Sequence, residues 1–165
     1  MILSKLFNLH AAKSKGTNDY SAGKIPFVTN TTLNNGIVRY VDPFDDDLVF
    51  SGPAICISGL GHATLHFDSF LPKGNGGDSC TVLCPKKPMT NVQLIYYAAL
   101  FNALHRWRFS FGRKANVRRI ERLDMSPTYA AAQLEVNNAL EENSKQLNRL
   151  LAKHSKQVKQ HSMLA

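Results

Sequence analysis

The sequence has few cysteines, few acidic residues and no long apolar run, and each shortage removes a class of protein. Its three cysteines, Cys56, Cys80 and Cys84, are an odd number, and the opening Met1-Ile2-Leu3-Ser4-Lys5-Leu6-Phe7 is broken by Lys5 before any secretion-signal core can form. Both facts argue against a disulfide framework, so buried free thiols are expected. His62 and His66 with Cys80 and Cys84 would supply zinc-ligand types, but Thr81-Val82-Leu83 between the cysteines reads as strand rather than as a tight Cys-x-x-Cys knuckle. Neither a metal nor a cofactor is expected. Nothing approaches the roughly 20 apolar residues that span a bilayer, so a cytoplasmic chain without a membrane partner is the reading.

Against 12 acidic residues stand 20 Lys and Arg, a formal net charge of +8. Such an excess draws polyanions over a Debye length of about 8–10 Å, which makes nucleic acid the first partner to consider. The charge is uneven. Asp45-Asp46-Asp47 forms an acidic knot, whereas Arg106, Arg108, Arg113, Lys114, Arg118, Arg119 and Arg122 crowd one segment. The knot lacks a second acidic cluster or a phosphate-cradling loop and reads as a solvated turn rather than a Mg²⁺ site.

At 165 residues one domain with an appendage is expected, an α+β domain at 1–126 and a helix at 127–165. The domain is a twisted, mostly antiparallel sheet with a packed helix. Ile25–Val28, Ile37–Val41, Leu48–Phe50 and Ala54–Ile57 are short β-prone runs between Asn-Gly, Asp-Pro and Gly-Pro breaks. Gly23 to Gly36 reads as strand, turn, strand, with Thr and Asn side chains that are also suited to base edges or phosphates. Ser58-Gly59-Leu60-Gly61-His62 lacks the third glycine, helix and acidic residue of a dinucleotide loop; it reads as a hairpin whose glycines let the backbone approach something closely. Lys73-Gly74-Asn75-Gly76-Gly77-Asp78 reads as a flexible tip. From Asn91 to Trp107 a helix capped by Thr90 is expected, with Val92, Ile95, Tyr96, Ala99, Leu100, Ala103 and Leu104 as its core face. Phe109-Ser110-Phe111 alternates like a strand with one buried face.

From Pro127 to Gln160 the chain has no Gly or Pro and is rich in Ala, Leu, Glu, Gln and Lys. Val136, Leu140, Asn143, Leu147, Leu150, His154 and then Gln157 or Val158 alternate in steps of four and three, the seam of a coiled coil of about three heptads. A helix folded back on its own domain is the other reading.

No catalytic constellation is present. A methyltransferase cofactor unit with an Asn/Asp-Pro-Pro-aromatic motif, a nuclease set of spaced acids with a lysine, and a hydrolase nucleophile elbow are all missing. The chain reads as a binding protein rather than an enzyme.

Taken in order, Leu6-Phe7-Asn8-Leu9, Lys13-Ser14-Lys15-Gly16, Gly-Lys-Ile-Pro-Phe-Val at 23–28, Asn34-Asn35-Gly36-Ile37, Ser58-Gly59-Leu60-Gly61 and Phe109-Ser110-Phe111-Gly112-Arg113-Lys114 form a pattern. Over roughly residues 1–128 it resembles the target recognition domain of DNA specificity subunits in type I restriction-modification systems. The resemblance implies double-stranded DNA as ligand and a DNA methyltransferase subunit, with a restriction subunit beyond it, as protein partners. Full specificity subunits of that family carry two recognition domains spaced by two long helices, so this chain looks like half of one, paired as a homodimer through its C-terminal helix. The DNA-contact candidates that follow are Lys13, Lys15, Thr29, Asn30, Thr32, Asn34, Asn35, His62, Arg108, Arg113 and Lys114. A non-catalytic decoy, binding a restriction-modification complex through its helix without reading DNA, is the alternative.

Overall fold

A computed structural model describes residues 1–74 and 79–162, with side chains to 155. The chain divides into two compact units, Met1–Ser126 and Pro127–Ala165.

The first unit opens with a single turn, α1 (Leu3–Leu6), and among its described residues has seven strands: β1 (Phe7–Ala11), β2 (Ala22–Val28), β3 (Ile37–Val41), β4 (Ala54–Ile57), β5 (Ala63–His66), β6 (Leu71–Pro72) and β7 (Thr81–Pro85). Two helices follow, α2 (Asn91–His105) and α3 (Val117–Ile120). Rather than one sheet there are two. An antiparallel four-stranded sheet has the order β1-β7-β4-β5; a three-stranded sheet, β3-β2-β6, pairs β2 with β3 antiparallel and with β6 in parallel.

All four residues of β4 are buried, because the four-stranded sheet is covered on both faces. Alternation assigns the faces. Ala54, Cys56 and Val82 pack with Ala12, Val28 and Phe70 toward the three-stranded sheet. Ile55, Ile57 and Leu83 face the other way, where Phe7 meets Tyr97 of α2 edge to face at 5.8 Å. Each fully buried Phe or Leu contributes about 1.5–3 kcal/mol. Cys56 and Cys80 are buried and Cys84 half-buried, all as free thiols. The hydrogen bond to Cys80, followed by burial, raises the Cys56 pKa. Among the described residues no three His, Cys, Asp or Glu side chains gather as a metal set.

Thr90 caps α2 as its sequence predicts: its hydroxyl accepts the Gln93 amide at 3.3 Å and the Gln93 side chain accepts the Thr90 amide at 2.8 Å. The packed face, however, is Leu94, Tyr97, Ala98, Phe101 and His105. Val92 and Ile95, expected in the core, are 58% and 54% exposed. A helix with no charged residue from Asn91 to Leu104 is apolar all round, so periodicity could not single out the buried side. The α-helix stops at His105, and Arg106–Arg108 continue as a 3-10 turn. Leu48–Phe50 forms no strand; Phe50 makes one isolated bridge to Phe70. Phe109-Ser110-Phe111 is not a strand either, because Ser110 and Arg113 close a tight turn with reciprocal backbone bonds of 3.1 Å. Phe109 is buried under it, while Phe111 at the tip is 77% exposed.

The N-terminal segment clasps the end of the unit. Leu3 N–H donates to Leu123 C=O at 2.9 Å, Met125 N–H to Met1 C=O at 2.8 Å, and the Met1 ammonium meets Asp124 Oδ1 at 2.6 Å.

The second unit is one helix, α4 (Tyr129–Ser162). A single helix has nothing within its own unit to cover an apolar stripe. Val136, Leu140, Leu147 and Leu150 on the expected seam are 57–64% exposed, and Asn143 and His154 are exposed with them. The last seam position, Gln157 or Val158, lies outside the described side chains.

Candidate nucleic-acid interface

Strand register brings distant polar loops to one edge of the first unit. Across the four-stranded sheet Ala11 faces Thr81, Thr81 faces Ile57, and Ile57 faces Ala63. The chain leaving β1, the β4–β5 hairpin and the approach to β7 therefore emerge side by side. β2 joins them: Lys73 N–H donates to Val28 C=O at 2.8 Å and Lys73 C=O accepts Cys80 N–H at 2.8 Å, which sets Thr29 and Asn30 beside Lys73. The 110–116 segment is pinned to the same edge by Ala115 N–H donating to Gly59 C=O at 2.8 Å. Lys114 and Ala115 share a small groove of about 280 Å³ with Ala11 and Ser79.

Lys13, Asn30, His62 and the adjacent pair Arg113 and Lys114 are thus collected from four separate stretches. Lys13, Arg108 and Arg113 are exposed, Asn30 is half-buried and Thr32 exposed. Lys114 lies with its Nζ 4.3 Å from the centre of the Phe111 ring. Lys15 is carried instead to the three-stranded sheet. Its Nζ stands 3.9 Å over the Phe44 ring, and its amide donates to the Tyr20 hydroxyl at 2.7 Å, which donates in turn to Asp47 at 2.9 Å. Asp47 also accepts the Phe44 amide at 2.9 Å, so the acidic knot is a self-bonded turn.

Several polar residues of the pattern hold the loops in shape. Thr29 is buried and accepts the Thr31 amide at 3.4 Å. Asn34 and Asn35 have φ of 46° and 52°, a left-handed conformation that Asn tolerates, and their amides donate to Ile37 C=O at 3.3 Å and Leu65 C=O at 2.9 Å. Ser14, between Lys13 and Lys15, is buried; its hydroxyl donates to Pro72 C=O at 2.7 Å and accepts Gly74 N–H at 2.8 Å. The hydroxyl clamps the chain after β1 to the chain after β6. The four residues 75–78 of the expected flexible tip lie outside the described residues.

The glycines of the β4–β5 hairpin are explained inside the fold. Gly61 has φ +77° and any Cβ there would collide with the Phe109 ring, so the close approach expected of this loop is to an aromatic side chain of the same unit. His62 beside it has its pKa lowered by burial and then by the Arg106 guanidinium, which keeps it neutral near pH 7.

Three residues outside the expected set complete this corner: Arg106, Trp107 and Phe111. Arg108 lies 4.9 Å over the Trp107 ring, and Trp107 is 73% exposed. Sequence pattern places the first two in the end of α2 and Phe111 on a buried strand face; the stop of α2 at His105 and the tight turn at 110–113 expose them.

The arrangement is a mixed α+β unit presenting polar and basic loops at one sheet edge, followed by one long helix. No protein-family model matches the chain, and no curated protein sequence matches it. Among solved structures, the S subunit of a type I restriction-modification system from M. genitalium matches with a TM-score of 0.56 at 14% identity, over 92% of this chain and 42% of that one. The chain has the fold of part of a type I S subunit and spans less than half of that protein's length.

Proposed function

We propose that this chain is a sequence-reading half-subunit of a restriction-modification system, without catalysis of its own. One observation carries the reading: register and backbone bonds gather Lys13, Asn30, Arg113 and Lys114 at a single edge of a fold shared with a type I S subunit. Lys and Arg there neutralise phosphates, while the Thr29–Asn35 loop, its backbone fixed by its own Thr and Asn side chains, presents Asn30 and Thr32 to base edges. Met1–Ser126 is the recognition domain, and α4 pairs two copies along Val136, Leu140, Asn143, Leu147, Leu150 and His154. Each copy then reads one half of a spaced palindrome. A methyltransferase subunit, and a restriction subunit with it, supply the chemistry.

Selection of a random duplex library on the purified chain at about 0.15 M salt, where non-specific phosphate binding is weakened, tests this. Enrichment of a split palindrome is the expected result. Arg113→Ala with Lys114→Ala should weaken binding to the selected site and shallow its log–log salt slope by about 2. A chain that enriches nothing, alone or with a methyltransferase partner, and whose double variant behaves as wild type is the decoy instead.

A further inference from the structure

Between the end of α2 and the 110–113 turn lies an open cleft of about 550 Å³, within the roughly 300–1,000 Å³ of small-ligand sites. Leu60 and the buried Phe109 line it together with two rings, Trp107 at 73% and Phe111 at 77% exposure. These two rings are placed without being buried. The indole Nε1–H donates to Leu104 C=O at 2.8 Å, which fixes the ring, and Phe111 is carried on the closed Ser110–Arg113 turn. A fixed, uncovered aromatic face loses little entropy when a flat partner stacks on it. Both rings already carry a cation, Arg108 on Trp107 and Lys114 on Phe111. From Arg106 to Arg122, seven Lys and Arg residues stand against the single Glu121, a charge that selects a polyanion.

We propose that this cleft receives an unpaired nucleobase of a nucleic-acid strand, stacked on Trp107 and Phe111, with Arg106, Arg108 and Arg113 on the flanking phosphates. Stacking platforms combined with cations are the physical signature of single-strand binding, and they tolerate any base. Base identity is not read here. The cleft's amide, Asn102, is committed on both atoms to the Ala63 backbone, at 2.8 Å each. The site shares Arg113 with duplex reading by the loops but not the stacked base, since a paired base has no free face to offer.

Trp107 is the single tryptophan of the chain, so its fluorescence reports on this cleft alone. The full chain is titrated at low salt with oligothymidylate and oligodeoxyadenylate of about ten nucleotides, a paired duplex of equal length, heparin and polyglutamate. Both oligonucleotides should quench Trp107, whereas duplex and heparin bind with little quenching. Phe111→Ala and Phe111→Leu should each weaken oligonucleotide binding about 5- to 100-fold, and Phe111→Tyr should bind as wild type. The exposed ring is dispensable for folding, which circular dichroism of the variants checks. Oligonucleotide binding without quenching, equal quenching by heparin, indifference to Phe111→Ala or Phe111→Leu, or no oligonucleotide binding would each overturn the proposal. Stronger quenching by polyglutamate would make the cleft an acidic-protein site instead. Library selection on paired DNA fails or succeeds separately, so the two readings are distinguishable.

Discussion

The Ser14 hydroxyl holds the Gly74 amide at 2.8 Å while donating to Pro72 C=O at 2.7 Å, tying the chain after β1 to the chain after β6 across 60 residues of sequence. Ser14→Ala leaves a part-buried N–H and a buried C=O without this partner, which costs about 1–3 kcal/mol. Urea denaturation should show the loss. Unchanged stability would remove the clamp.

Gly61 and Gly112 make a matched pair of probes. Gly61→Ala forces a side chain to φ +77° against Phe109, whereas a Cβ at Gly112 meets nothing within 4 Å. The first should cost about 1–3 kcal/mol or more, the second stay within about 0.5 kcal/mol. Thermal melts of the two variants decide; equal effects would remove the packing explanation of the hairpin glycine.

His66 is 6% exposed, stacked on Phe70 at 4.5 Å and joined to Thr64 Oγ1 at 2.8 Å. Burial lowers its pKa to about 4. Between its unfolded value of about 6.5 and that folded value, the unfolded chain binds the proton and the folded chain does not. Stability is therefore complete above about pH 6.5 and falls by up to about 1.4 kcal/mol per unit as pH drops toward 4. Denaturation midpoints across pH 4–7 should show this slope, and His66→Gln should flatten it. An unchanged slope in the variant would assign it to His62 and His105, whose pKa values burial also lowers.

For α4, Leu140→Asp with Leu147→Asp places two carboxylates on the seam. Sedimentation should turn a dimer into a monomer, with loss of helical ellipticity. A wild-type chain that already sediments as a monomer would leave the stripe to a partner protein's helix.

What the sequence revealed follows the locality of each interaction. The α2 cap needs only Thr90 and Gln93, three residues apart, and the uninterrupted α4 needs only composition; both are legible. The two-sheet layering, the buried face of α2 and the clamp role of Ser14 depend on partners distant in sequence, 39 residues away for Asn102 and Ala63 and 58 for Ser14 and Pro72. Basic residues near the candidate edge were visible as charge. Their convergence was not, because it rests on Ala11, Thr81, Ile57 and Ala63 standing in one row, and register is a property of the assembled sheet.

The clasp between Met1–Leu3 and Leu123–Met125 has a consequence for inheritance rather than for chemistry. A unit whose entry and exit are hydrogen-bonded neighbours is a cassette. Replacing everything between those two ends would exchange the whole loop set and leave the sequence of α4 untouched. On the reading proposed above, a new target preference would come by transplantation of the unit, with the pairing helix unchanged.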